Sequence, residues 1–456
     1  MFVGFDYGSA NCAIGVIEGD DVRLVPLSGD SKYMSSTLYA MDRELIAEAV
    51  LKQLSQAEQA EYTRLRSAQL SRAAAARRDL DLLPHEQAVF VGEQAIEAYL
   101  EMPDEGFYVR SPKSFLGATG LRESQIALFE DIVTLMMMHI KTQAESQLKQ
   151  GNNTITHAVI GRPVNFQGIG GEQSNLQAEA ILSLAAKRAG FTEVDFLFEP
   201  LAAGMDYEAS LDENVTVLVV DVGGGTTDCS MVKMGPNHID NRDRSVDFLG
   251  HSGQRIGGND LDIALSMASF MPHLGLGSLM VNRLPVPSKP FWNAVAVNDI
   301  SAQRDFSALG SKKLIEDLIK DAQHPELIQR LLKVQKEQLG YKIVRSAEQS
   351  KIALSDANSV DTPLDYIHNG LHAKVSDSDF EAAITMPLSK VEALMREALE
   401  QSGVMPDRIY VTGGTARSPA IYKRISGLFP EIPIVVGDHF GSVTAGLTRW
   451  AQRVFA

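Results

Sequence analysis

The sequence predicts an α/β protein built from two duplicated lobes, and three observations carry that prediction. The first is an apolar, β-branched run (Val215, Val217, Leu218, Val219, Val220) that ends at Asp221 and turns through Gly223, Gly224 and Gly225. Such a run reads as a fully buried strand. The second is its echo near the start of the chain. FDYGSANCAIGVI and VDVGGGTTDCSMVKM share one plan: apolar strand, Asp-x-Gly, small polar turn, Cys, apolar strand. The third is the alternation of strand-like runs with amphipathic helices between and after these two hairpins.

The glycine turn also has a chemical reading. Three glycines let backbone N–H groups approach an anion with no Cβ in the way. Thr226, Thr227 and Asp228 add hydroxyls and a carboxylate, so an acid stands on each side of the turn. That set suits a phosphate held with Mg²⁺, which takes oxygen ligands and keeps several waters. A tight hairpin with no ligand is the plainer alternative for this stretch taken alone.

Composition narrows the classes. The chain has 456 residues, 45 % of them hydrophobic, enough for two or three domains. A net charge of −16 argues against nucleic acid or an anionic membrane as a partner. The opening MFVGFDYG does not read as a signal peptide, and no apolar run approaches the roughly 18 residues that span a bilayer. Cys12 and Cys229 are the two cysteines, too few for a disulfide scaffold or a four-ligand zinc site. A cytoplasmic, reduced protein is expected, with both thiols buried and inert.

Taken in order, the elements justify themselves as follows. Asp6 and Gly8 close the first strand, and Ser9, Ala10 and Asn11 form its turn. Residues 42–78 have helical spacing, continuous or as a hairpin, and end in the basic RAAAARR. They read as a solvated helical insertion, with a dedicated partner site as the other reading. Residues 89–98 give a strand and a helix. In RSPKSFLG, Pro112 stiffens the segment that carries Lys113. Such a lysine is either an ordinary surface residue or a point charge for a phosphate. Residues 123–150 form a long helix in which Met136, Met137 and Met138 fill core gaps.

A strand over 156–160 runs into Gly161, Arg162 and Pro163, and residues 177–190 form a helix stopped by Gly190. Glu199 lies between an apolar strand end and a small-residue helix start, where a carboxylate must be paired or functional. Gly257 and Gly258 turn into a helix over 261–270 capped by Asn259 or Asp260. This is an anion site or simply a cap. Residues 271–305 are proline-rich and irregular. A helical stretch over 311–354 places Glu348, Lys351 and Ser355 on one face, suited to a ribose and base or merely to solvent. A strand pair is expected within 364–375, then helices from Ser376 or Asp377 and over 387–402. RIYVTGGTARSP repeats the strand-to-glycine logic at Gly413 and Gly414, with Arg417 beside them. A last strand over 432–437 leads past Asp438 and Ser442 into a final helix reaching about Trp450.

Assembled, these pieces resemble a family. GFDYGSAN, VGEQA, PKSFLG, FEPLAAG, VVDVGGGTTD, GGNDLD, SAEQSKIALS and VTGGTARSP fall in the order found in the ATPase domain of the heat-shock protein 70 (DnaK-type) chaperones. Within that family the chain resembles chaperone-like members that consist of this domain alone. The resemblance implies an actin-like ATPase fold, with two lobes around a cleft for ATP or ADP and Mg²⁺. Lobe I would comprise residues 1–210 with 437–456 returning to it, and lobe II residues 211–436 with an inserted subdomain over 257–345.

Carried over residue by residue, the resemblance puts Asp6, Asp221 and Asp228 around the metal and its waters. Ser9, Gly224, Gly225 and Thr226 would hold phosphates, with Gly8, Asn11, Gly223, Gly257 and Gly258 in the same nucleotide-binding set. Lys113 and Glu199 would orient the attacking water, acting with Asp221 and Thr226 as the catalytic group. Glu348, Lys351 and Ser355 would face adenosine together with Gly413, Gly414, Arg417 and Asp438. Pro163 would sit at a hinge coupling nucleotide state to lobe rotation. The implied activity is slow hydrolysis of ATP by a chaperone-like switch, with co-chaperones or other proteins meeting the lobe surfaces and insertions.

Three departures accompany the resemblance. Ala10 stands where the family usually has a threonine, removing one phosphate hydrogen bond. The stretches 42–78 and 271–305 are extra. The peptide-binding domain of full-length chaperones has no counterpart in the sequence. Two further readings share the fold: a nucleotide-gated, actin-like interaction or filament protein, and a small-molecule kinase, for which no acceptor-facing aspartate is identifiable.

Overall fold

The computed structural model describes residues 1–102, 105–148, 154–166, 171–239, 241, 244–416, 418–437 and 441–456. Its framework is two sheets of the same design. In the first, the strand order is Asp21–Leu24, Asn11–Glu18, Phe2–Tyr7, His157–Arg162, Glu193–Phe198, with Met34–Ser35 paired to the hairpin. In the second it is Phe248–Gln254, Thr227–Met234, Val215–Val222, Arg408–Thr412, Ile434–Val436. Each sheet opens with three antiparallel strands and continues with two parallel ones. The repeat read in the two hairpins therefore extends to whole sheets.

Seven of the eight residues of Val215–Val222 are buried, as a continuous apolar run with both faces covered requires. Helices supply the cover. Glu123–Gln147 packs beside Gly171–Arg188 near the first sheet, and Thr385–Ser402 lies on the outer strands of the second. Three apolar clusters result. One fills the first sheet and its helices, one the second sheet and residues 256–429, and one joins the two sheets. The joining cluster includes Val159, Ala202, Met205, Val219, Tyr410 and Leu447, carried in part by the helices Glu199–Glu208 and Gly441–Phe455.

Several boundaries differ from expectation for identifiable reasons. Residues 42–78 form three helices, Leu45–Gln53, Gln56–Leu65 and Ser67–Asp79, interrupted where Leu54 and Ser55 turn extended and again at Arg66. The basic tail of this insertion is paired along its surface: Arg72 with Glu44 at 2.8 Å and Arg77 with Glu48 at 2.9 Å. Arg66 is buried and reaches Asp131 on the long helix at 2.9 Å, fixing the insertion to the body.

The strand pair placed within 364–375 is instead Ser359–Pro363 with His372–Ser376. Leu364 and Ile367 are buried in the connection, so their apolar character comes from anchoring a loop. The irregular stretch contains the helices Lys289–Val295 and Ile300–Ser307, the second capped by the Asp299 carboxylate. The helix after Gly257 spans Gly258–Leu265 and passes into a π-helical turn, Ser266–Phe270. The last helix extends to Phe455. Among the described residues, no helix is long and apolar enough to cross a membrane.

Candidate functional site

The two Asp-x-Gly hairpins meet turn to turn. Tyr7 faces Cys12 across the first and Val222 faces Thr227 across the second, which leaves residues 8–11 and 223–226 as the two tips. A Cβ built on Gly224 would stand 2.6 Å from the Ala10 Cβ, so only glycine permits this approach. Gly223 N–H donates to the Thr226 carbonyl at 2.9 Å and closes the second tip. The tip is then held from behind. Gly258 and Asn259 N–H groups donate to the carbonyls of Gly223 and Gly224 at 2.9 and 2.8 Å, and Thr415 Oγ1 donates to Gly223 O at 3.1 Å.

Beside these tips lies a cleft of about 530 Å³, a size that takes a small ligand. Fifteen of the residues singled out from the sequence line it: Asp6, Gly8, Ser9, Asn11, Glu199, Asp221, Gly223, Gly224, Thr226, Gly258, Glu348, Lys351, Ser355, Gly413 and Gly414. Lys113, Gly225, Gly257 and Asp228 stand directly behind that wall. Gly257 N–H donates to Asp260 Oδ2 at 2.8 Å, and a Cβ on Gly257 would meet the Gly223 carbonyl oxygen at 2.7 Å. Ser355 falls just past the end of the helix Gly340–Ala353, yet it reaches the same wall as Glu348 and Lys351. Arg417 and Asp438 lie outside the described residues.

The electrostatics are dominated by buried acids around one buried cation. Lys113 is 3 % exposed; its ammonium pairs with Glu199 and donates to the Gly161 carbonyl at 3.2 Å. Burial alone would lower this lysine, but Glu199 and Asp6 outweigh it and raise it above its ordinary value. Burial pushes Asp6 up to about 7, with Glu199 adding repulsion and Lys113 relieving part of it. Burial, then Glu199, Asp228 and Asp6, raise Asp221 well above the usual carboxylate range. Asp228 is pushed up to about 8 by burial and Glu199, although its Oδ1 accepts the Val164 N–H at 2.8 Å.

Lys113, with Arg162 acting on Asp228, only partly offsets the burial of these acids, so the group suits a further positive charge. Among the described residues, no three His, Cys, Asp or Glu side chains are grouped closely enough to ligate one metal ion directly. Asp6, Asp221 and Asp228 are thus placed to meet a cation through its waters, if one binds, rather than as a direct three-ligand set.

Residues that sequence reasoning passed over complete the site. Lys351 pairs with Asp262 at 2.7 Å, and Arg110 pairs with Glu348 at 2.6 Å. Burial raises Asp262 to about 6 despite Lys351 beside it. Burial would also raise Glu348, but Arg110 and Lys351 hold it below its ordinary value. Asn259, expected from the sequence only as a cap candidate, donates its Nδ2–H to Ser111 Oγ at 3.1 Å. Tyr341 meets Tyr99 and Tyr108 edge-on at 5.9 and 5.0 Å, and Tyr99 Oη donates to the Gln338 carbonyl at 3.0 Å. Asp262 closes the GGNDLD motif and Arg110 opens RSPKSFLG, but neither had a partner visible in the sequence.

Comparisons with known proteins agree on one group. A family model described as Hsp70 protein matches residues 122–270 and 310–436. The unmatched gap, 271–309, nearly coincides with the proline-rich stretch read as extra. The chain is similar to the chaperone protein dnaK3 of Synechococcus elongatus, 23 % identical over 445 residues, covering 94 % of this chain and 47 % of that protein. It is similar to the chaperone protein DnaK of Thermus thermophilus, 25 % identical over 299 residues, covering 65 % and 39 %. It is also similar to a chaperone protein HscA homolog of Rickettsia typhi, 32 % identical over 137 residues, covering 30 % and 20 %. The chain thus spans about half the length, or less, of the curated relatives it matches.

Proposed function

The chain belongs to the Hsp70 family, and we propose that it is a Mg²⁺-dependent, slowly hydrolysing ATP switch whose two lobes close on nucleotide. The observation that carries this reading is the meeting of the two hairpin tips at Ala10 and Gly224 beside a cleft lined by Ser9, Thr226, Asp6, Glu199 and Asp221. Two like sheets each bring one tip, as a clamp on a phosphate chain requires.

In this reading the Ser9 and Thr226 hydroxyls and the backbone N–H groups of the second tip bind phosphoryl oxygens. Glu199, anchored by Lys113, orients a water at the far end of the chain. Phosphoryl transfer to water needs positioning and charge neutralisation more than covalent chemistry. Bound Mg²⁺ would supply that neutralisation. Glu348 and Lys351, already fixed by Arg110 and Asp262, flank the adenosine end with Ser355, Gly413 and Gly414. Ala10 contributes a methyl group where a hydroxyl would add a donor, which favours slow turnover.

The lobes would be residues 1–210 with 437–456, and 211–436 with an insertion over 257–345. Val164, one residue past Pro163, donates its N–H to Asp228. A change in the water shell at Asp228 would then be felt at the proline, which supports a hinge there. Co-chaperones or other proteins would read the closure on the lobe surfaces.

The test is titration calorimetry with Mg·ATP and Mg·ADP, followed by turnover of Thr226→Ala and Lys113→Ala. Saturable binding, with turnover lowered in both variants, supports the reading. Folded protein that binds neither nucleotide overturns it.

A further inference from the structure

We infer that Ser114 donates a third hydroxyl to the terminal phosphoryl group and so sets this cleft's preference for a triphosphate over a diphosphate. The inference rests on the nucleotide reading of the cleft and adds to it a residue that reading leaves unused.

Ser114 is 2 % exposed, and its Oγ has no hydrogen-bond partner among the described residues. A buried hydroxyl without a partner is unfavourable and calls for an explanation. Its backbone is firmly placed. Ser114 N–H donates to the Ser111 carbonyl at 2.9 Å within the one-turn helix Pro112–Phe115. That turn is entered through Ser111 at φ 55°, a left-handed conformation that a serine adopts at some cost. The chain thus accepts backbone strain and an unsatisfied hydroxyl side by side.

The position of that hydroxyl supplies the reason. A Cβ built on Gly225 would stand 2.3 Å from Ser114 Oγ and 3.2 Å from Ser9 Oγ. The Ser114 and Ser9 hydroxyls therefore both face Gly225 of the second hairpin tip. Ser114 also directly follows Lys113, whose ammonium holds Glu199. Ser114 thus stands behind the cleft wall at Gly225, next to the Lys113–Glu199 pair that the nucleotide reading sets at the terminal phosphoryl group. A hydroxyl is able to rotate between staggered positions, so Oγ–H can turn onto a phosphoryl oxygen without moving the backbone.

The test compares affinities for Mg·ADP and for a non-hydrolysable ATP analogue in wild type, Ser114→Ala and Ser114→Cys. Ser114→Ala is expected to weaken the analogue about tenfold, the usual scale for one hydrogen bond to a charged group, and to leave ADP within about twofold. Ser114→Cys, which keeps the volume and weakens the donor, should fall between the two. Equal losses for both nucleotides, or no loss for either, overturn the role of Ser114 while leaving the nucleotide site intact. Wild-type protein that binds neither ligand overturns the underlying reading and this inference with it.

Discussion

Gly224 lies against Ala10, with the position of an added Cβ only 2.6 Å from the alanine methyl and 3.2 Å from its backbone nitrogen. The contact joins the turn of one sheet to the turn of the other. A methyl group at Gly224 would have to push the two tips apart, and overpacking of this kind costs about 1–3 kcal/mol. Gly224→Ala is therefore expected to fold, to melt at a somewhat lower temperature, and to lose at least about tenfold in nucleotide affinity. Calorimetry beside thermal denaturation checks it, and unchanged affinity would show that the tips do not form one site.

Lys113 is the buried cation among Glu199, Asp6 and Asp221. Removing one partner of a buried pair is destabilising by about 3–5 kcal/mol because the other charge is stranded. Lys113→Ala should show that loss in chemical denaturation, together with a turnover drop of roughly a hundredfold or more. Adding Glu199→Gln should restore much of the stability and none of the turnover. Restored turnover in the double variant would contradict the assigned roles.

The pH dependence of the nucleotide-free protein follows from Asp228. Its folded value of about 8 lies far above the ordinary 3.8. Between those values the folded chain keeps a proton that the unfolded chain has released, so this group's contribution to stability falls as pH rises, by at most about 1.4 kcal/mol per pH unit. Asp228→Asn removes the titration. The melting temperature of the variant relative to wild type should climb as pH is raised from about 5 to about 8. A relative melting temperature that stays flat or falls over that range would contradict the burial of this carboxyl.

Tyr99 and Tyr108 stack at 4.4 Å, and Tyr341 caps both from the helix that carries Glu348 and Lys351. With the Arg110–Glu348 pair, these rings tie the two sides of the cleft together. Aromatic pairs add about 0.5–1.5 kcal/mol beyond area burial. Tyr341→Ala should accelerate release of a fluorescent ADP by up to about tenfold in stopped flow. An unchanged release rate would show that the rings do not restrain opening.

What the sequence disclosed divides along physical lines. Asp221, Gly223, Gly224 and Thr226 were legible because strand, turn and side-chain chemistry are local, and the copy at Asp6 and Ser9 reinforced them. Ser114 and Asp262 were not, because their importance comes from what folding brings near them: Gly225 and Lys351 respectively. The strand pair near residue 364 was misplaced since Leu364 and Ile367 are apolar to anchor a loop. The basic tail of the first insertion looked free because Glu44 and Glu48, which hold Arg72 and Arg77, belong to a different helix turn about 28 residues earlier.

The most direct test of the two-tip clamp is hydrogen–deuterium exchange with and without Mg·ATP. The account predicts slowed exchange in residues 6–12, 223–227, 257–262 and 348–356 and at Gly413 and Gly414, with the outer helices Gln56–Leu65 and Leu309–Asp321 unchanged. Folded protein showing no protection at either hairpin tip under saturating Mg·ATP would contradict it.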